Sequence, residues 1–157
     1  MDWIKFGTLV ISFFTLLLSI YSAKTLNQNK KKERRITLFL SEKRRMQNDL
    51  FKHITQMLDF GRRCFEEIDE KEKQKIKFEL LNLKMLITVN LDKDNDFAED
   101  LGGNCIEYIT WCASFLEASD EKVKSNYLGA SYKSQLSIWN LVNKYRENDN
   151  KLIEELM

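Results

Sequence analysis

Four side chains in this sequence could hold a metal or drive a nucleophile: Cys64, Cys105, Cys112 and the single histidine, His53. Three thiolates and one imidazole are the ligand set of a structural zinc site. Their spacing works against that reading once the surrounding segments are taken as helices. Cys105 and Cys112 then share a face but stand about 10.5 Å apart along the axis. Two thiolates on one zinc, with bonds of ~2.3 Å, must lie within ~4 Å of each other. His53 and Cys64 are separated by about 16 Å on the same arithmetic. The expectation is three small core residues in a reducing compartment, with no metal and no cofactor. An odd number of cysteines also disfavours a secreted disulfide framework.

Nucleophilic catalysis needs an activated nucleophile beside a positioned base. His53 follows Lys52 in a charged amphipathic stretch and reads as a surface residue. The carboxylate pairs Glu66-Glu67 and Glu154-Glu155 are adjacent in sequence, so on a helix they point in different directions and cannot act on one bond. No glycine-rich phosphate loop, zinc-protease or hydrolase signature occurs. The reading is that the protein is not an enzyme. A cryptic site around His53 and Cys64 stands as a third-ranked reading.

The run Asp92-Lys93-Asp94-Asn95-Asp96 invites calcium. Aligned with Asp92 at position one of a calcium loop, Phe97 falls where the turn needs glycine and Gly103 where a bidentate glutamate belongs. A solvated inter-helix loop is expected instead.

Charge is placed rather than scattered. The formal net charge of +1 conceals nine bases against two acids over residues 24–45, then fifteen bases against twenty-one acids over residues 46–157. Before that basic collar, Phe6 to Ala23 runs without a charged residue. As a helix it measures about 27 Å, close to the ~30 Å hydrocarbon core. Trp3 and Tyr21 stand where interfacial aromatics belong. The length of the run, the single lysine before it and the lack of a small-x-small pair at its exit favour an uncleaved signal-anchor over a signal peptide. With the bases following the span, the positive-inside rule puts the C-terminal body in the cytoplasm and the N-terminus outside. The expected location is the cell membrane, crossed once.

Thr8, Ser12, Thr15, Ser19 and Ser22 recur at steps of four, three, four and three, which places them on one stripe of the span. Small residues let backbones approach and hydroxyls bond across the contact, so the stripe favours transmembrane self-association over each hydroxyl bonding its own i−4 carbonyl. Lys24, Lys30, Lys31, Lys32, Arg34 and Arg35 lie just inside the membrane, where each base is attracted to anionic lipid by about 1 kcal/mol. That makes lipid the nearer partner and nucleic acid an unfavoured one.

The elements that must position these residues are helical. The sequence has no proline and five glycines, with 31% charged and 43% hydrophobic residues. Those proportions disfavour turn-dense all-β folds, collagen and disorder. Helical spacing runs from Ile36 to Ile68, over residues 71–91, from Phe97 to Leu116, and over residues 120–147 from an opening at Ser119-Asp120. A short last turn is expected over Lys151–Met157, after a break at Asn148-Asp149-Asn150. Trp111, Phe115, Tyr127, Tyr132, Trp139 and Tyr145 read as core filling. The predicted fold class is all-α: one N-terminal transmembrane helix followed by a cytoplasmic four-helix up-and-down bundle. Its divisions are 1–26 (anchor), 27–45 (basic juxtamembrane segment) and 46–157 (bundle).

The leading functional expectation is a membrane-anchored, non-enzymatic interaction or regulatory module. It would contact membrane lipid and an unidentified protein, and would self-associate into a homo-oligomer. The alternative is an oligomerising membrane-acting effector, a toxin or defence protein whose spans perturb the bilayer.

Overall fold

The computed structural model describes residues 2–155, with side chains from 13 to 155. It contains four helices: α1 (Asp2–Arg63), α2 (Glu70–Asn90), α3 (Ala98–Glu117) and α4 (Glu121–Glu155). No strand occurs among the described residues. The chain divides into two compact units, Met1–Ser41 and Glu42–Met157.

The first unit is the N-terminal part of α1. Asn27-Gln28-Asn29 does not interrupt it, since no proline or glycine there removes a backbone bond. Every side chain from Phe13 to Phe39 is exposed. Among the described residues no helix is long and apolar enough to cross a membrane. The transmembrane helix expected from the sequence is therefore not supported by the described residues. Its uncharged run begins at Phe6, and the side chains of residues 6–12 lie outside them. The remainder, Phe13 to Ala23, spans only about 16 Å as a helix, half the hydrocarbon thickness.

The second unit is a helical bundle of residues 42–63 of α1 with α2, α3 and α4. Its links, residues 64–69, 91–97 and 118–120, are short. Successive helices reverse direction. At one end Lys43 of α1 meets Asp92, after α2, and Asp149 near the end of α4. At the other, Arg63 pairs with Glu72, Lys77 with Glu117, and Phe65 packs edge-on against Phe115 at 4.8 Å. The core is built at helical spacing from Leu50, Ile54 and Met57 of α1 and Ile76, Leu80, Leu83 and Ile87 of α2. Leu101, Cys105, Tyr108 and Cys112 of α3 and Ile138, Val142 and Tyr145 of α4 complete it.

Short polar residues set the helix starts. Asp69 accepts the Glu72 N–H at 2.8 Å, and Asp120 accepts that of Val123 at 2.9 Å. Each satisfies a donor that the first turn would otherwise leave open. The start of α3 is built differently: Phe97 occupies its N-cap position with no side-chain cap bond. Asp92 and Asn95 instead accept the Asp94 and Phe97 N–H groups two residues on, turning the chain into the helix.

Three boundaries depart from the sequence reading. α1 ends at Arg63 rather than running to Ile68, with Phe65 N–H and Glu66 N–H bonding carbonyls three residues back as the turn tightens. α4 does not break at Asn148-Asp149-Asn150 and reaches Glu155, so the separate last turn does not form. Asp149 continues the buried register of Tyr145 and Ile153 and is itself buried, which holds that segment in the helix. Tyr132 and Trp139, expected in the core, are exposed on α4, as is Leu136, because its buried line runs through Ser131, Ser134 and Ile138.

Candidate functional site

At the Lys43 end of the bundle, charge is buried. The Lys43 ammonium lies 2.9 Å from Asp92 Oδ2 and 3.6 Å from Asp149 Oδ1, with side-chain exposures of 11%, 22% and 2%. Burial works against the Lys43 charge, but Asp92 and Asp149 outweigh it and hold the pKa above the ordinary lysine value. Burial raises the Asp149 pKa above the ordinary carboxyl value, a rise that Lys43 only partly offsets. The α2–α3 loop docks on the same end of α4. Asp92 N–H donates to Tyr145 Oη at 2.8 Å, Asn95 Nδ2 donates to Tyr145 O at 2.9 Å, and Asn148 Nδ2 donates to Asp96 Oδ2 at 3.1 Å. Asn95 is buried, so this loop is an anchored joint rather than a freely solvated connection. Of its carboxylates, Asp92 pairs with Lys43 and Asp96 accepts from Asn148. Among the described residues no group of three or more His, Cys, Asp or Glu side chains is placed to hold a metal ion.

All three cysteines are free thiols and buried. Cys64 Sγ donates to Phe60 O at 3.3 Å. Hydrogen bonding to Cys64 and then burial push the Cys112 thiol up, and burial pushes Cys105 up to about 12. Thiols held protonated in this way are poor nucleophiles and poor ligands. His53 sits on the surface of α1 with Nδ1 3.4 Å from Gln56 Oε1. The structure therefore does not bring His53 and Cys64 together. Open clefts of about 360 Å³ beside Cys64, Lys73 and Phe115 and about 350 Å³ beside Arg62, Tyr108 and Gln135 lie at the α1–α2 corner and on the α4 side. Neither is lined by a histidine.

Of the hydroxyl stripe, Thr15, Ser19 and Ser22 share one face of α1 and are exposed, while the side chains of Thr8 and Ser12 lie outside the described residues. Ser19 Oγ donates to Thr15 O at 2.8 Å, the back-bonded arrangement that serves a hydroxyl within its own helix. Lys24, Lys30, Lys31, Lys32, Arg34 and Arg35 are helical and exposed. Lys43, the next base of the collar, belongs to the bundle instead.

The feature the sequence reading missed is on α2. Ile76, Leu80, Leu83 and Ile87 form its core face. At about 100° per residue, Phe78, Leu81, Met85 and Val89 fall on the opposite side. They are 63%, 49%, 64% and 73% exposed. Burying one such side chain fully is worth about 1.5–3 kcal/mol, so four in line facing water is a costly surface to maintain without a contact. The signal was present as a second set of apolar positions at steps of three, four and four. It was hidden because two opposed apolar faces cancel each other's helical asymmetry.

No family model, curated protein or solved structure matches this chain.

Proposed function

We propose that the protein is a membrane-anchored, non-enzymatic helical interaction module, held at the cell membrane by residues 1–26 with its bundle in the cytoplasm. The observation that carries the interaction reading is the second apolar face of α2, Phe78, Leu81, Met85 and Val89, which the bundle's own core does not use.

Support for the anchor comes from the uncharged run Phe6 to Ala23 and from the exposure of Phe13, Phe14, Leu16, Leu17, Leu18 and Ile20. An uncharged helix that is apolar over most of its circumference and lies outside a protein core suits hydrocarbon. The bases support the same reading. Lys24, Lys30, Lys31, Lys32, Arg34 and Arg35 follow that run directly, where bases beside a span are drawn to anionic headgroups. Confinement to the membrane would raise the effective concentration of whatever α2 contacts.

The test uses the full-length chain in its membrane, with benzoylphenylalanine replacing Met85 or, as a control, the exposed Lys122 of α4. The expected result is retention in the membrane pellet after alkaline carbonate washing, and a photo-adduct at position 85 but not at 122. Release by carbonate overturns the anchor. Absence of any adduct at position 85 overturns the interaction reading.

A further inference from the structure

Cys64 and Cys112 are far apart in sequence, but the contacts on either side of them are in register. With α2 reversing between them, α1 and α3 run in the same direction. One turn before Cys64, a methyl at Gly61 would fall on Tyr108, whose Oη donates to Leu58 O at 3.4 Å. One residue after Cys64, the Phe65 ring packs edge-on against Phe115 with centroids 4.8 Å apart. Tyr108, Cys112 and Phe115 follow one another at steps of four and three, so they share a face of α3. Cys112 therefore faces α1 between two contacts that bracket Cys64, and the two buried thiols are hydrogen-bonded to each other.

The remaining bonds orient the pair. Cys64 Sγ donates to Phe60 O at 3.3 Å, which leaves its sulfur lone pairs for Cys112. The Tyr108 hydroxyl also bonds Cys112. The two thiols differ in access. Cys64 lies just past the end of α1 and lines the open cleft of about 360 Å³ with Phe65, Lys73 and Phe115, whereas Cys112 does not line it. A reactant little larger than water can approach Cys64 from that cleft with the bundle folded. Cys105, the third thiol, stands about 10.5 Å from Cys112 along α3, beyond the ~7 Å Cα limit for a disulfide.

We propose that Cys64 and Cys112 form a peroxide-responsive dithiol, whose disulfide fastens the end of α1 to α3. Hydrogen peroxide is the oxidant. Cys64 sulfur attacks one peroxide oxygen, the O–O bond breaks, and Cys64 sulfenic acid and one water result. Cys112 sulfur then attacks Cys64 Sγ, the S–O bond breaks, and a second water leaves with the Cys112 proton. Two thiols have lost two hydrogens and two electrons, and one peroxide has become two waters. Where thiol reductants prevail, such a bond lasts only while oxidant outpaces them, as in a reversible sensor. The proposal is independent of the anchor and of the α2 face.

Peroxide treatment of the reduced full-length chain in detergent tests it. Remaining thiols are blocked with N-ethylmaleimide in urea, and the chain is mapped by mass after cleavage at lysine, arginine and glutamate, which parts Cys105 from Cys112 at Glu107. The expected product is a monomer lighter by two hydrogens, with the Cys64–Cys112 link at least several-fold above any other pairing and reversed by dithiothreitol. Cys105→Ala leaves the link unchanged, and Cys64→Ala leaves Cys112 reduced. The same oxidation in urea should instead favour Cys105–Cys112, because an unfolded chain closes its shortest loop most readily. The linked chain should also unfold at a higher urea concentration than the reduced one, since the cross-link restricts the unfolded state. Three unreacted thiols, a link through Cys105, a link between chains, or sulfinic acid at Cys64 in place of a link each overturn the proposal. So do the same pairings in native and unfolded chains. An unfolding midpoint no higher than that of the reduced chain overturns the fit of the disulfide to the fold.

Discussion

Replacing Gly61 with alanine tests the packing of the bundle at its tightest point. Glycine inside a helix ordinarily costs about 1 kcal/mol relative to alanine, so Gly61→Ala, like any Gly→Ala in a helix, should stabilise on propensity alone. At Gly61 the added methyl would fall on the ring and hydroxyl of Tyr108. That side chain is buried in the core, and its Oη donates to Leu58 O at 3.4 Å. Displacing it adds overpacking of about 1–3 kcal/mol and the loss of a hydrogen bond worth about 1 kcal/mol. Set against the propensity gain, a net destabilisation of about 2 kcal/mol is expected. Gly103 and Gly129 are internal controls, because a methyl at either meets nothing within 4 Å. There the change should stabilise by about 0.5–1 kcal/mol. Gly102 is intermediate, with only the flexible tip of Leu91 to move. The assay is urea unfolding of the full-length chain in detergent, followed by far-ultraviolet circular dichroism. Tyr108→Leu should remove most of the penalty of Gly61→Ala in a double-mutant cycle. A Gly61→Ala chain as stable as the Gly103→Ala chain would refute the close approach of α1 and α3.

Lys43→Met should cost about 3 kcal/mol near neutral pH by leaving Asp149 buried without its cation, and adding Asp149→Leu should recover most of it; both are read from unfolding curves. The pH dependence has a defined sign: the raised Lys43 pKa means its contribution is complete below the unfolded value of 10.5 and is lost as pH rises through the folded one. The raised Asp149 pKa works in the other window, so stability falls as pH climbs from the ordinary 3.8 to the raised value, and the penalty of Lys43→Met should fade at acid pH. Cys105 and Cys112, buried and held protonated, should resist a thiol reagent at pH 8 in the native chain and react only after unfolding, as counted by mass.

The Lys43–Asp149 contact and the α2 face bear on the proposed role in different ways. The first ties the start of the bundle to the end of α4. The second is unused by that closure. A module whose core is complete with one face of α2 left over has spare apolar surface for a partner. On the proposed reading, anchoring suits a contact of only four side chains, since confinement compensates for small area.

Much of the architecture was legible from local pattern alone. Apolar residues at steps of three and four placed α2 and α3 to within a residue or two, and Asp120 marked the start of α4, because helical period and N-cap chemistry are properties of the chain itself. The burial of the three cysteines followed from their small size and their places in those apolar lines. What local pattern could not decide was which of two apolar faces a helix turns inward. On α2, Phe78, Leu81, Met85 and Val89 are as hydrophobic as Ile76, Leu80, Leu83 and Ile87, and only the packing of the other helices selects between them. The same holds for charge. Asp149, between two asparagines, has the composition of a loop, and Lys43 that of a membrane collar. Each became structural only because the fold brings them within 3.6 Å in a place that excludes water. Partner identity across more than a hundred residues is a tertiary quantity. It depends on which helices reverse where, and no window of sequence contains that.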